Sequence, residues 1–211
     1  MKSGSPGFFS LEGVDGSGKT TQLALLAQAL QKQGREVLTV REPGGTPVSD
    51  KIRQLILDPG NAIVPAAELL LFSAARAQLV AEVIAPALQA GKIVLADRFG
   101  WSTLAYQGYG RGMDAAPIRE LFRIACREIW PHHSFLLDLP VANMRARLES
   151  GGRPADRMER ESSLFFDRVR QGYLSIAKEN ADRFTVIDGS QPPETVHRAL
   201  LAELTGLLPG G

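Results

Sequence analysis

Residues 13–21 read GVDGSGKTT, three glycines and a lysine within nine positions. The spacing from Gly13 through Gly18 and Lys19 to Thr20 is that of G-x-x-x-x-G-K-[ST], a loop whose backbone N–H groups turn inward to make an anion-binding concavity. Glycines let such a chain approach phosphate oxygens without a Cβ in the way. In this pattern Gly13, Val14, Asp15, Gly16, Ser17 and Gly18 wrap the phosphates of a nucleotide. Lys19 reaches its β- and γ-phosphates, the Thr20 hydroxyl sits on Mg²⁺, and Thr21 belongs to the helix start that adds its positive end. A glycine-rich turn could match by accident, but the context is that of a real phosphate loop. The apolar FFSLE precedes it, and TTQLALLAQALQKQG follows with apolar residues at helical spacing and Gly34 as a stop.

Four further stretches carry chemistry. REPGGT, residues 41–46, is a turn by composition, and a charged pair leads into it; the next segment, PVSDKIRQLIL, reads as a helix carrying Arg53. In LLLFSAARAQL, residues 69–79, Phe72 and Arg76 stand four apart on one helical face. Core packing with a snorkelling cation is one reading of that pair. A stacking surface beside a planar donor, suited to a nucleobase, is the other. VLADRFGWSTLAYQGYGRG, residues 94–112, closes an apolar strand on Asp97, where an acid that organises Mg²⁺ belongs, and Arg98 can fork onto phosphate. Thr103 and Gln107, four apart, are expected to converge on one ligand with Tyr106 nearby. DRFG also matches the D-x-x-G of GTP switches, but no N-K-x-D guanine reader accompanies it. RARLESGGRPADRMERES, residues 145–162, sets five arginines around a Gly-Gly-x-Pro break. A solvated face accounts for some of these charges; helix, basic loop and helix is also what a lid over polyphosphate needs.

These clusters need a scaffold, and β-rich runs supply it: FFSLE, EVLTVRE, KIVLADR, HSFLLDL and RFTVID, separated by helical patterns. Crossovers of that length imply a five-stranded parallel sheet with helices on both faces, an α/β fold in three layers with its site at the carboxyl ends of the strands. All 211 residues fit one domain. Lys and Arg number 24 against 23 Asp and Glu, a net charge of +1, so no nucleic-acid or membrane partner is expected. The single cysteine, Cys126, lies in an apolar-periodic stretch and is expected to be a buried thiol. MKSGSPG at the start has no apolar signal core, and the longest apolar stretches are expected to fall short of a membrane span. A reducing, cytoplasmic setting is the expectation. His132, His133 and His197 lack cysteine partners at zinc spacing.

Taken in order, GVDGSGKTT, TVREPGGT, LLLFSAARAQL, DRFGWSTLAYQGYGRG, DRMERES and VIDGSQPPETV resemble the thymidylate kinases, close to the bacterial type, along almost the whole chain. The resemblance implies a phosphate-loop NTPase fold of the nucleoside monophosphate kinase kind, a homodimer, and transfer of the γ-phosphate of ATP to dTMP. It implies that Gly13 to Thr20 hold ATP, with Asp15 facing the acceptor's sugar and phosphate. Glu42 and Pro43 would form the acceptor-side turn, with Pro43 in a cis peptide bond. Arg53 and Arg98 would hold the acceptor phosphate. Phe72 would stack on thymine, with Arg76 and Thr103 on its edge; Tyr106 would crowd a ribose 2′-hydroxyl, and Gln107 would help fix the nucleotide. The family places its catalytic arginine in the phosphate loop or in the lid, about 145–160 here. Gly16 leaves the loop without one, which points to Arg153 or Arg157. Phe99 departs from the tyrosine or histidine often found after the DR pair. The rivals are a kinase for another nucleoside monophosphate or for a deoxynucleoside, which the Phe72–Arg76–Thr103 pocket would discriminate, and a non-catalytic nucleotide-binding or switch module, which needs no second nucleotide site.

Overall fold

A computed structural model describes residues 5–208; the first four residues of the polar opening segment lie outside this range. The chain runs β1 (Ser5–Glu12), α1 (Lys19–Lys32), β2 (Val37–Arg41), α2 (Pro47–Leu57), α3 (Pro65–Leu79), a π-helical turn (Val80–Ile84) and α4 (Ala85–Gln89). It continues through β3 (Ile93–Asp97), the short α5 (Gly100–Thr103), a second π-helical segment (Leu104–Gly110), α6 (Ala115–Cys126) and β4 (Pro131–Asp138). Last come α7 (Val141–Ser150), α8 (Ser163–Glu179), β5 (Phe184–Asp188) and α9 (Pro193–Leu207).

The five strands pair in parallel in the order β2-β3-β1-β4-β5, as the alternation of strand and helix predicts. Their register gathers the polar strand ends on one edge. Asp97 lies level with Leu11 on one side and Arg41 on the other, and Asp138 lies level with Asp188.

Successive residues of a strand face opposite sides, so each strand feeds two cores. Phe8, Val94, Ala96 and Leu136 pack under the α3, α6 and α8 layer, whereas Phe9, Leu11, Leu95, Phe135 and Leu137 pack under α1 and α9. Phe8, Phe9, Leu11, Phe135 and Leu137 are fully buried, each contributing about 1.5–3 kcal/mol relative to exposure. The sheet edge that carries the site is thus anchored from both faces.

Two expectations need correction. The segment after Asp97 is not one regular α-helix: it passes into π geometry at Leu104, a turn type that recurs at functional sites. The helical run Pro65–Gln89 is, by length and composition, long and apolar enough to cross a membrane. Its Glu68 and Arg76 nonetheless point into the buried centre of the protein and pair there with other side chains. The run looked shorter in the sequence because these charges interrupt it.

Candidate active site

The loop after β1 has the geometry its glycines predict. Gly13 adopts a φ of 138°, and a Cβ there would lie 2.6 Å from the Leu137 carbonyl oxygen and 2.9 Å from Ser17 Oγ. Gly18 caps α1 at a φ of 94° with no side-chain cap, which leaves the first N–H groups of the helix for an anion. Lys19 is 6% exposed and donates to Val14 O at 2.8 Å and to Ser17 Oγ at 3.3 Å. Burial, helped by the positive Arg98, brings its pKa down to about 8. A cation held this way is poised to exchange a carbonyl for phosphate oxygens.

Thr20 Oγ1 donates to Asp97 Oδ2 at 2.5 Å, joining the two residues expected at a magnesium ion. Among the described residues no cluster of three or more His, Cys, Asp or Glu could hold a metal by itself. One hydroxyl and one carboxylate fit Mg²⁺ well, because this ion binds through few protein groups and takes its remaining ligands from phosphates and water. Gly13, Val14 and Ser17 form the loop behind these groups. An open cleft of about 810 Å³ is lined by Asp15, Gly16, Gly18, Lys19, Thr20, Thr21, Asp97 and Arg153, among others.

Beside it lies a smaller pocket of about 100 Å³, into which the sequence-predicted acceptor residues converge: Asp15, Glu42, Pro43, Arg53, Phe72, Arg76, Arg98, Thr103, Tyr106 and Gln107 all line it. The Glu42–Pro43 peptide is cis. Arg76, 2% exposed, donates from Nε to both Glu42 carboxylate oxygens at 3.0 and 2.8 Å and from Nη2 to Thr103 Oγ1 at 2.9 Å. Its Nη1 is buried without a partner, a donor awaiting an acceptor. Core packing also holds this arginine, over the rings of Phe99 and Phe122. Burial raises the Glu42 pKa, although the Arg76 guanidinium works against this.

Arg98 stands at a φ of 70°, strained for a non-glycine residue. Its Nη1 donates to Gly13 O at 2.6 Å and Tyr173 Oη at 2.9 Å, and its Nη2 to Asp15 Oδ1 at 2.9 Å and Tyr106 Oη at 3.1 Å. Tyr106 donates in turn to Asp15 Oδ2. Burial works against ionisation of Asp15, but the charges of Arg98 and Lys19 outweigh it and lower the pKa. Arg53 donates to Pro43 O at 2.9 Å.

Thr103 and Gln107 border the same pocket but reach different partners. Thr103 accepts from Arg76, while Gln107 donates to Glu68 Oε1 at 2.9 Å. Phe99 is fully buried edge-on to Phe8 and Trp130, which explains why an apolar ring occupies this position.

The basic segment behaves unevenly. Arg153, on the cleft wall, pairs with Glu159. Arg157 turns the other way: it donates to Ile56 O and Glu68 Oε2, both at 2.6 Å, and lines neither cavity. Sequence reasoning missed Glu68, the fully buried hub that also receives Arg111. The i, i+4 spacing that joins Phe72 to Arg76 extends back to it. It also missed Arg147, which reaches over the phosphate loop to Gly16 O and Gly189 O, each at 3.0 Å. No local pattern separates Arg147 from its neighbours in the charge run.

A family model described as thymidylate kinase matches residues 11–200. The chain is 49% identical over 212 aligned residues to thymidylate kinase of Syntrophotalea carbinolica, covering 97% of this chain and 98% of that protein. It is likewise 49% identical to thymidylate kinase of Geobacter sulfurreducens, covering 96% and 98%. A crystal structure of thymidylate kinase from Ehrlichia chaffeensis superimposes with a TM-score of 0.77 at 36% identity, covering 96% of this chain and 99% of that one.

Proposed function

Because the chain belongs to the thymidylate kinase family, we propose that it transfers the γ-phosphoryl group of ATP to dTMP, giving dTDP and ADP. ATP would occupy the open cleft and dTMP the small pocket. The observation that carries this assignment is the shared wall: Asp15, Glu42, Arg53, Arg98 and Asp156 line both cavities. Two anionic reactants entering from either side meet at a boundary that holds two arginines, which suits in-line transfer between phosphates.

In the transfer the bond from the γ-phosphorus to the β,γ-bridging oxygen breaks as a bond to a dTMP phosphate oxygen forms. Lys19 leaves Val14 O for the β- and γ-phosphates, and Arg98 and Arg53 hold the acceptor phosphate. Mg²⁺, bound with Thr20 and Asp97, would neutralise charge between the β- and γ-phosphates. Arg153 is the lid arginine best placed to reach the charge in flight, supported by its position on the cleft wall and its exposed pairing with Glu159. Thymine would lie on Phe72, with the free Nη1 of Arg76 donating to its C4 carbonyl and the Thr103 hydroxyl meeting N3–H. The Tyr106 hydroxyl, tied to Asp15 and Arg98, would crowd a ribose 2′-hydroxyl and so favour the deoxy sugar.

The chain works as one kinase domain whose residues 145–160 form the lid, and it acts as a cytoplasmic homodimer without nucleic-acid or membrane partners. Leu55, Leu70 and Ile124, exposed on the adjoining helices α2, α3 and α6, support an apolar subunit interface. A coupled assay of ADP formation with ATP and a panel of nucleoside monophosphates tests the function. Comparable use of dTMP and dCMP would exclude it.

A further inference from the structure

The last residue of β1, Glu12, is a fully buried carboxylate outside both cavities and outside the chemistry described above. Isolated buried carboxylates are costly, so its partners matter. Oε1 accepts from Phe99 N at 2.9 Å and Ser10 Oγ at 3.0 Å, and Oε2 accepts from Ser102 Oγ at 2.7 Å. All three donors are neutral, and among the described residues no lysine or arginine forms an ion pair with it.

The compensating charge is that of Arg98, whose Nη1 lies 3.4 Å from Ser102 Oγ directly and is also linked to it by a relay. Ser102 Oγ lies 2.7 Å from Tyr173 Oη, and Arg98 Nη1 donates to that same Tyr173 oxygen at 2.9 Å. The one hydroxyl proton of Ser102 is given to Glu12, so Tyr173 must donate to Ser102. The direction is then set from end to end: Arg98 guanidinium to Tyr173, Tyr173 to Ser102, Ser102 to Glu12 carboxylate. A chain that begins on a cation and ends on an anion polarises every bond in it. A second chain enters from the other side, where Trp101 Nε1 donates to Ser134 Oγ, which lies 2.9 Å from Ser10 Oγ.

Backbone geometry points the same way. Arg98 holds its left-handed φ between two hydrogen bonds, its own N to Leu11 O at 2.9 Å and the next N, that of Phe99, to Glu12. Strain of this kind persists only where neighbouring structure over-determines it.

We infer that Glu12 is a positioning residue for the acceptor phosphate: it fixes the turn and the guanidinium orientation of Arg98 through Phe99 N and the Ser102–Tyr173 relay. This rests on Arg98 holding that phosphate. Glu12 would touch no substrate, and its loss would weaken acceptor binding while leaving the donor cleft intact.

Steady-state kinetics with ATP and dTMP varied separately test the inference on four variants. Arg98→Lys checks the underlying assignment and should raise the dTMP KM; an unchanged value would overturn the acceptor role of Arg98 itself. Glu12→Gln keeps the shape but loses the charge, and should raise the dTMP KM by about tenfold with the ATP KM within about twofold. Tyr173→Phe interrupts the relay without touching the carboxylate, whereas Ser102→Ala also removes a direct donor to it, and each should raise the dTMP KM by about threefold. The relay also requires that Tyr173→Phe add little to Glu12→Gln, since both break one chain. If Arg98→Lys raises the dTMP KM but neither Glu12→Gln nor Tyr173→Phe does, the positioning role is wrong. Equal rises in the ATP and dTMP KM would also overturn it, because that is what a merely structural disturbance of the adjoining phosphate loop gives. Should Glu12→Gln fail to fold, Tyr173→Phe decides the matter alone, because Ser102 itself lines the acceptor pocket.

Discussion

The two cavities are built on opposite plans. The small pocket is lined by side chains already locked to one another, Arg76 to Glu42 and Thr103, Arg98 to Asp15 and Tyr106. The open cleft is about eight times larger and is lined by the glycine-rich loop, by Lys19 and by the exposed Arg153. The difference fits the occupants proposed for the two sites. A base edge is read by a few fixed donors, so rigidity before binding lowers the cost of ordering them. A triphosphate is recognised chiefly by charge, which a glycine loop and movable cations can follow as the phosphates move during transfer.

The comparison breaks if the open cleft does not need its cations. Lys19→Ala should abolish turnover while leaving the melting temperature close to wild type, as thermal unfolding alongside the coupled assay would record; wild-type turnover would remove the loop from catalysis. On the rigid side, cytosine places an amine where Arg76 Nη1 offers a donor. Sites built to hydrogen-bond their substrate reject such an analogue by about 10⁴ or more in kcat/KM. Arg76→Ala should narrow the dTMP-to-dCMP ratio and not merely lower both rates. dUMP lacks only a methyl group and should lose about 1–3 kcal/mol against dTMP.

A movable cation should act on rate more than on binding. Arg153→Ala is expected to lower kcat by on the order of 10³ with little change in the dTMP KM. Arg157→Ala, by contrast, uncovers the buried Glu68 and should show mainly as a lower melting temperature; a pure kcat defect there would shift the catalytic assignment to it.

The next effect is one of pH. Burial raises the Glu12 pKa to about 7, against hydrogen bonds from Ser102, Ser10 and Phe99 N and the charge of Arg98; Lys19 and Tyr173 also lie in its field. A raised carboxyl favours the protonated form in the fold, so its contribution is complete below about pH 4.5 and lost as pH rises through about 7. Urea titrations should show wild type losing on the order of 3 kcal/mol relative to Glu12→Gln across that window. Parallel profiles would mean that the carboxylate is better compensated than its burial implies. The smallest effect is expected at Arg123, whose exposed pairing with Glu120 lies on a helix surface; Arg123→Ala should leave both kinetics and melting unchanged.

Residues whose roles depend on near neighbours in the chain were legible without the fold. The phosphate loop reads from spacing because the pattern is one of backbone geometry, and helical periodicity sets Phe72 and Arg76 on one face. The five strands read because sheet residues buried on both faces must be apolar. Residues whose roles depend on distant partners were not legible. Nothing local distinguishes Arg153 from Arg157: both are arginines flanking one turn, and only the docking of Arg157 on Ile56 and Glu68 sends it away from the cleft. Glu12 gave no signal either, because two of its three partners lie 87 and 90 positions away.

The sequence by itself therefore determined the layered sheet and the phosphate loop, since periodicity and short spacings encode what neighbouring residues do together. The tertiary structure alone decided which of several chemically equivalent arginines faces the cleft, which one is spent on a buried carboxylate, and which acid lies behind Arg98. Charge and hydrogen bonding act through space, and the distances that rank one partner over another exist only once the strands have set their register.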